Sequence, residues 1–256
     1  MKIVMTGANG FIGRPMLRLF LSSGFDVVTL NRSKNVGECP NHIVDLMDRD
    51  SIRRVLLKER PTHLVHLAWY TEHNKFWNSS KNFSWVLATK SLIEEFILAG
   101  GESVAAAGTC AEYAPSNSAF INESHDINPT TTYGICKHLT HMLARQQLEN
   151  CGGKLAWFRI FFPYGAGDKS SRLVPTLHKI NAGLTPPITV DKSSVRDFVH
   201  VNDIAEAFKC LVSGNCDGIF NLCSGTAVAI GDLVDAVAVC YDKPVDICSS
   251  EKSQKI

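Results

Sequence analysis

Tyr133 and Lys137 stand four residues apart in a stretch of helical periodicity, residues 132–150, which places both side chains on one helix face. A phenol ordinarily ionises near pH ~10, and a nearby ammonium favours the phenolate. Such a pair can move a proton on or off an alcohol or carbonyl oxygen. The same spacing is commonplace on solvated helix surfaces, so the pair alone decides nothing. Thr109 adds to it: it comes just after a small-residue strand, residues 103–107, and its hydroxyl could hydrogen-bond the same substrate oxygen. The other stretch with chemistry in it is Thr6-Gly7-Ala8-Asn9-Gly10-Phe11-Ile12-Gly13. It follows the apolar run Lys2-Ile3-Val4-Met5 and precedes the helical residues 14–22. Strand, glycine turn and helix is the setting in which a loop binds a pyrophosphate. The glycines permit close backbone approach, and the helix N-terminus offers unpaired N–H groups and a partial positive charge.

The elements that must position these groups alternate. Strands are predicted over residues 26–30, 62–68, 103–107 and 155–160, and helices over 50–58, 82–99 and 132–150. Helix 82–99 is closed by Gly100-Gly101, and helix 132–150 by Gly152-Gly153. This alternation predicts an α/β fold, a parallel sheet covered by helices on both faces, with ligands at the C-terminal ends of its strands. Beyond residue 163 the pattern loosens: a loop at Pro163, Gly165 and Gly167, helices over 171–182, 202–212 and 230–239, and strands over 188–190, 195–201 and 219–221. Residues 1–162 read as a nucleotide-binding domain, and 163–256 as a small substrate-binding lobe with returns to the main domain. The tail, residues 249–256, is polar.

The 256 residues are 45% apolar, enough for a substantial core, and the net charge is +1 with both signs interspersed. That gives no electrostatic case for nucleic acid or an anionic membrane. No apolar run approaches the ~20 residues that span a bilayer, and the chain enters its first strand at once. The nine cysteines are scattered singly with no C-x-x-C pair, which argues for reduced thiols in a cytoplasm and against a zinc site. Cys110 and Cys136 read as small apolar filler near the chemistry, and Glu112 as a solvated or helix-capping carboxylate.

Taken together, Thr6 to Gly13, Thr109 and Tyr133-x-x-x-Lys137 resemble the extended short-chain dehydrogenase/reductase family, its branch of nucleotide-sugar epimerases, dehydratases and reductases. Asp45-Leu46, His66-Leu67-Ala68, Val195 to Asp203 and Asn221 to Gly225 match the same pattern. The resemblance implies a Rossmann-type doubly wound parallel sheet with a small C-terminal substrate lobe. It implies that Tyr133 is the acid/base, that Lys137 lowers its pKa and holds the nicotinamide ribose, and that Thr109 orients the substrate oxygen. Gly7, Asn9, Gly10, Phe11, Ile12 and Gly13 would cradle the cofactor, Asp45 and Leu46 contact its adenine, and Leu67 and Ala68 line its cleft. Phe162 would pack beside the nicotinamide amide. Arg196 would grip the diphosphate of a sugar nucleotide; the plain alternative is a surface ion pair with Asp197. Relatives commonly dimerise through the helices corresponding to 82–99 and 132–150, so a homodimer is expected. They also continue for several more elements beyond the match to Asn221 to Gly225, so the lobe reads as short or truncated.

Departures from the pattern narrow the reading. Where dehydratases carry an acid pair after the catalytic Thr, this chain has Cys110 and Ala111, which disfavours 4,6-dehydration. The cysteine of the fucose-forming epimerase-reductases falls at Ala111 here, one place from Cys110, which disfavours double epimerisation. An Asn that often contacts substrate is replaced by Arg172. At the end of the second strand, Asn31-Arg32-Ser33-Lys34 holds no carboxylate to repel a 2′-phosphate, and Arg32 and Lys34 could hold one, so NADP is favoured over NAD. Trp69 and its aromatic neighbours, with Thr109, Arg172 and Arg196, are the candidate substrate contacts. The first expectation is an NADPH-dependent reductase of a nucleoside-diphosphate 4-keto-6-deoxyhexose, in deoxysugar or surface polysaccharide biosynthesis. The second is an NAD-dependent nucleotide-sugar C4 epimerase, and a minor third is a non-catalytic nucleotide sensor.

Overall fold

The structure is a computed structural model, which describes residues 1–33, 39–116 and 120–249; Lys34 and the tail residues 250–256 lie outside the described residues. In chain order the elements are β1 (Lys2–Thr6), α1 (Gly13–Ser22), β2 (Asp26–Asn31), β3 (Asn41–Ile43), α2 (Arg49–Glu59), β4 (His63–His66), α3 (Lys81–Leu98) and β5 (Ser103–Thr109). A 3-10 turn (Cys110–Glu112) leads towards α4 (Thr132–Glu149), β6 (Lys154–Ile160), β7 (Phe162–Tyr164), α5 (Leu173–Asn181), β8 (Thr189–Val190) and β9 (Val195–His200). The chain then forms α6 (Val201–Ser213), β10 (Gly218–Leu222), β11 (Ala227–Ala229), α7 (Ile230–Tyr241) and β12 (Cys248–Ser249).

Seven strands form one parallel sheet in the order β10-β6-β5-β4-β1-β2-β3. Its centre is buried on both faces, so side chains alternate between two cores. On one side Ile3 and Met5 of β1 meet Met16, Leu17 and Phe20 of α1 and Ile204 and Phe208 of α6. On the other, Val4 meets a core built from Ile52 and Leu56 of α2, Leu92, Ile93 and Phe96 of α3, and Ala144 and Leu148 of α4. This is the Rossmann-type doubly wound fold expected from the alternation. Strand order reverses between β1 and β4, so the loops after these two strands part and leave a crevice, the usual ligand site in open α/β sheets.

The C-terminal elements have an apolar core of their own, in which Leu177 and Ile180 of α5 meet Ile230, Val234 and Val237 of α7. Two small sheets, β11-β9-β7 and β12-β8, frame it. The sequence reading missed β3, β7, β11 and β12. Each is only two or three residues long, too short for any alternation to register. β4 is shorter than expected because Leu67 and Ala68 leave the sheet to meet the glycine loop. Among the described residues no helix is long and apolar enough to cross a membrane, and all nine cysteines are free thiols.

Phe208 ties the second half of the chain to the main sheet: it is fully buried, with its ring centroid 4.0 Å from that of Phe158. Phe208→Ala is expected to cost about 3–5 kcal/mol, read as a lower urea midpoint by circular dichroism. An unchanged midpoint would mean that the packing of α6 does not limit stability.

Candidate active site

Hydrogen bonds between β1 and β4 build the floor of the crevice. The Thr6 hydroxyl bonds His66 Nδ1 at 2.8 Å and accepts from the Ala68 amide at 3.3 Å, while the Leu67 amide donates to the Thr6 carbonyl at 3.2 Å. His66 Nε2 reaches Thr89 on α3 at 3.0 Å. Burial, with the Lys137 ammonium close by, pushes His66 down to about 3, so it is a neutral imidazole that stitches three elements together.

The glycine loop lies against this floor. Gly7 has φ +73°, and a Cβ there would stand 2.7 Å from the Ala68 nitrogen. A Cβ on Gly13 would fall 2.1 Å from the Gly7 carbonyl oxygen, and the Gly10 amide closes the turn onto that same oxygen at 2.9 Å. No side chain caps α1 at Ile12, and its first turn holds no acidic residue. The Arg14 and Met16 amides donate to the Gly10 and Ile12 carbonyls, so what this end offers the crevice is a dipole that no carboxylate offsets, which suits a pyrophosphate. Phe11 and Ile12 are half-buried at the mouth, and Leu67 and Ala68 are half-buried across from them.

Towards the edge, Asn31 at the end of β2 is buried and donates to Asn41 Oδ1 at 2.9 Å, while Arg32 is exposed. Asn9 reaches Ser33 Oγ at 3.4 Å, which ties the glycine loop to the residues after β2. Asp45 is exposed and accepts from the Met47 amide at 3.0 Å beside the buried Leu46. Backbone crowding at the turn, a helix N-terminus without a side-chain cap and polar groups at the end of β2 fit a dinucleotide.

The acid/base candidates converge on the other side. Thr131 caps α4 through the Gly134 amide at 3.1 Å, and the Tyr133 amide donates to the Trp77 carbonyl at 2.9 Å. The rings of Phe76 and Trp77 stand edge-on to Tyr133, with centroids 4.8 and 5.7 Å away. Thr109 Oγ1 accepts from the Ala111 amide at 3.2 Å, and its hydroxyl faces the phenol. Lys137 Nζ donates to the Ala107 carbonyl at 2.7 Å and lies 4.0 Å from the ring centroid of Trp69. Trp69 is held in turn through Nε1 by Asn82 Oδ1 at 2.9 Å.

Burial dominates the electrostatics of the cluster. Burial pushes the Tyr133 phenol above its usual range, and the groups that favour its ionised form are the Thr109 hydroxyl and the Arg172 guanidinium. Lys137 is itself depressed to about 7 by burial, with Glu112 working in the opposite direction. Its ammonium is engaged by Ala107 and Trp69, so in this structure Tyr133 is a protonated acid.

Cys110, expected as filler, has its thiol close enough to Tyr133 and Arg196 for their charges to interact. Burial pushes it up to about 12, which makes it a neutral thiol and no nucleophile. Glu112 is fully buried rather than solvated, although it does cap: it accepts from the Thr109 amide at 2.9 Å, from Trp157 Nε1 at 3.0 Å and from Arg159 Nε at 3.2 Å. Sequence reasoning missed Arg159; an arginine within an otherwise apolar strand was the available signal.

The substrate candidates line the C-terminal side. Arg172 precedes α5 and pairs with Asp168 at 3.6 Å. Arg196 stacks over Phe162 at 5.1 Å and donates to the Val195 carbonyl at 2.8 Å. It makes no ion pair with Asp197, whose carboxylate accepts instead from the Ser224 and Gly225 amides at 2.6 and 2.9 Å. Phe162 therefore backs Arg196. A cleft of about 470 Å³ is lined by Tyr164, Asp168, Pro175 and His178.

Comparison with known proteins agrees with this geometry. The model of the NAD dependent epimerase/dehydratase family matches residues 3–223. A UDP-glucose 4-epimerase of Neisseria meningitidis serogroup B is 26% identical across 92% of this chain and 81% of its own. A UDP-glucose 4-epimerase of Rhizobium meliloti is 25% identical across 99% of this chain and 86% of its own. The crystal structure of the UDP-glucose 4-epimerase of Thermus thermophilus in complex with NAD superposes with a TM-score of 0.85 at 23% identity, covering 100% of this chain and 88% of that one. This last likeness is one of fold.

Gly13→Ala presses a methyl group onto the Gly7 carbonyl and so tests the loop directly. It is expected to weaken NAD(H) and NADP(H) binding by roughly tenfold or more, measured by fluorescence titration, with the far-ultraviolet circular dichroism preserved. Equal affinity in the variant would show that the cofactor does not lie on this turn.

Proposed function

The chain belongs to the NAD dependent epimerase/dehydratase family, and on that premise we propose that it is a nucleotide-sugar C4 epimerase acting on a UDP-hexose. The observation that carries the reading is the convergence of Thr109, Tyr133 and Lys137 on the crevice where the sheet reverses. The curated UDP-glucose 4-epimerases, which the chain resembles along nearly its whole length, supply the reaction class. Held by the turn from Gly7 to Gly13, a nicotinamide dinucleotide would supply the hydride chemistry at C4 of the sugar.

The chain's own residues do the rest. Thr109 holds the C4 oxygen by a hydrogen bond, and Tyr133 takes the hydroxyl proton and later returns it to the ketone. Lys137 offers its ammonium to the nicotinamide ribose and favours the phenolate once its contact with Ala107 is exchanged. Arg196, with permanent charge and forked donors, grips the diphosphate, and Arg172 and Trp69 contact the sugar. The small C-terminal elements, with their separate core, act as the substrate lobe. Cys110 and Ala111 supply neither acid nor base, which argues against dehydration.

Two observations favour a second reading, an NADPH-dependent reductase of a 4-keto-6-deoxyhexose. β2 ends in Asn31 followed by the exposed Arg32 with no carboxylate, so a 2′-phosphate would meet a cation. Tyr133 is also held protonated by burial, the form that donates to a carbonyl oxygen. One assay separates the two: the epimerase interconverts UDP-glucose and UDP-galactose with no net change at 340 nm, whereas the reductase consumes NADPH in proportion to a 4-keto sugar nucleotide. Tyr133→Phe is expected to lower either turnover by about 10²–10⁴-fold while leaving cofactor affinity within twofold; undiminished turnover would sink the mechanism.

We also propose a homodimer, built from α3 and α4 of each copy. Phe83, Leu87 and Leu98 of α3 and Ile135, Leu139 and Met142 of α4 are all exposed, and the two helices pack side by side. An apolar surface of this kind on adjacent helices suits self-association. Leu87→Glu with Met142→Glu should convert the dimer to a monomer in light scattering; an unchanged mass would exclude this face.

A further inference from the structure

Beneath the acid/base pair lies a buried ion pair to which that chemistry gives no role. Glu112 closes the 3-10 turn after β5, and Arg159 faces it from β6; their side chains are 0% and 2% exposed. Burying a charge is costly unless its partners satisfy it; burial raises the Glu112 carboxyl above its usual range, and the Thr109 amide, Arg159 and Trp157 oppose that rise. One carboxylate oxygen accepts from the Thr109 amide at 2.9 Å and the Trp157 indole at 3.0 Å; the other accepts from Arg159 Nε at 3.2 Å. Arg159 in turn donates to the Glu123 carbonyl at 3.3 Å and lies 4.5 Å from the ring centroid of Tyr113.

We propose that Glu112 is a positioning residue: from below the site it fixes the direction of the Thr109 hydroxyl and keeps the Lys137 side chain cationic. The proposal rests on the acid/base roles given above to Thr109, Tyr133 and Lys137.

The first half rests on the hydrogen bonds of the turn; for the second, Lys137 Nζ donates to the Ala107 carbonyl while the Glu112 carboxylate accepts from the Thr109 amide, two residues further along the same strand. Thr109 and Glu112 form a reciprocal capping box: the Glu112 carboxylate holds the Thr109 amide while Thr109 Oγ1 accepts from the Ala111 amide. With that acceptor position occupied, the hydroxyl hydrogen is left to point outwards, towards Tyr133 and the substrate oxygen. Two close approaches lock the turn. A Cβ on Gly134, next to Tyr133, would fall 2.3 Å from the Ala111 carbonyl, and one on Gly108 would fall 2.6 Å from Glu112 Oε1. Displacing the Glu112 side chain would therefore disturb Thr109 and the start of α4 together.

Several groups face these two charges. Lys137 meets Glu112 from the turn, His66 from β4 and Trp69 from the loop beyond it, and shares its helix with Tyr133. Glu112 meets Cys110 in its own turn, Arg159 and Trp157 from β6, and Tyr133, Lys137, His138 and His141 from α4. Burial strips water from the Lys137 ammonium, and the negative charge that opposes its loss is Glu112's.

Glu112, His138 and His141 also bring ligand atoms within 4.8 Å of one another. Burial, with the Arg159 guanidinium as the next cause, depresses His138 and pushes His141 down to about 4. Both carboxylate oxygens are already hydrogen-bonded, and the cation paired with them is the Arg159 side chain.

The sign of the effect follows. Replacing the carboxylate by a neutral amide removes the charge that favours the ammonium, so Lys137 loses its proton at lower pH. The test is ¹³C NMR of the full chain labelled at lysine Cε, with the Lys137 signal assigned by its loss in Lys137→Arg. In Glu112→Gln its midpoint should fall from near 7 by about one pH unit or more. Glu112→Gln with Arg159→Met, which leaves no orphaned guanidinium, should show the same fall if the single variant folds poorly. An unmoved midpoint in a folded variant overturns the charge role.

For the Thr109 half, UDP-glucose turnover is followed at pH 6, where Glu112→Gln keeps an oxygen for the Thr109 amide and Glu112→Ala does not. The kcat of the alanine variant should be roughly tenfold below that of the glutamine variant, and equal values overturn the positioning role. The NMR midpoint needs no substrate: a wild-type chain inert towards sugar nucleotides would refute the activity, while an unmoved midpoint in an active enzyme would refute this inference.

Discussion

The architecture hangs on the meeting of two backbones at the point where the sheet reverses direction. β1 and β4 are neighbours, but the loops beyond them lead to opposite halves of the sheet. Gly7 fills the gap at a distance from Ala68 that no side chain would tolerate. The buried Thr6–His66–Thr89 hydrogen bonds hold the same junction from the strand side. Because His66 stays neutral, the stitch adds no charge beneath a site that already holds Lys137. A floor this rigid lets α1 turn the positive end of its dipole to one side and leaves the other to Thr109, Tyr133 and Lys137.

Burial then decides the chemistry of those residues. It raises Tyr133 and Cys110 and lowers Lys137, so the intrinsic tendency of the site is towards neutral forms. Isolated charges survive here only by compensation, which Glu112 receives from Arg159, Trp157 and the Thr109 amide. The phenol is correspondingly a better acid than base in this geometry. Abstracting a proton from an alcohol requires additional positive charge next to it, and the Lys137 ammonium is the nearest source on α4.

The C-terminal elements follow a different logic. Their core, from α5 and α7, is separate from the two that cover the main sheet. α6 and β10 return the chain to the sheet, so the small lobe is anchored at both ends. Arg196 on β9 and Arg172 ahead of α5 come from this lobe, and their charges reach Cys110 and Tyr133 respectively.

The sequence by itself determined the doubly wound sheet, the glycine turn and the positions of Thr109, Tyr133 and Lys137. These rest on local signals: apolar runs of strand length, glycine at a turn, and a four-residue spacing that any helix converts into a shared face. What the tertiary structure alone decided depends on neighbours distant along the chain. Lys137 turns to Ala107 and Trp69, Arg196 stacks on Phe162 rather than pairing with Asp197, and Glu112 is buried, because each partner is brought in by another element. The very short strands escaped the sequence for the same reason, since their pairing and not their pattern makes them strands. Protonation was least legible of all: the depth at which the fold buries Tyr133 and Lys137 pushes both towards their neutral forms, and no local pattern reports depth.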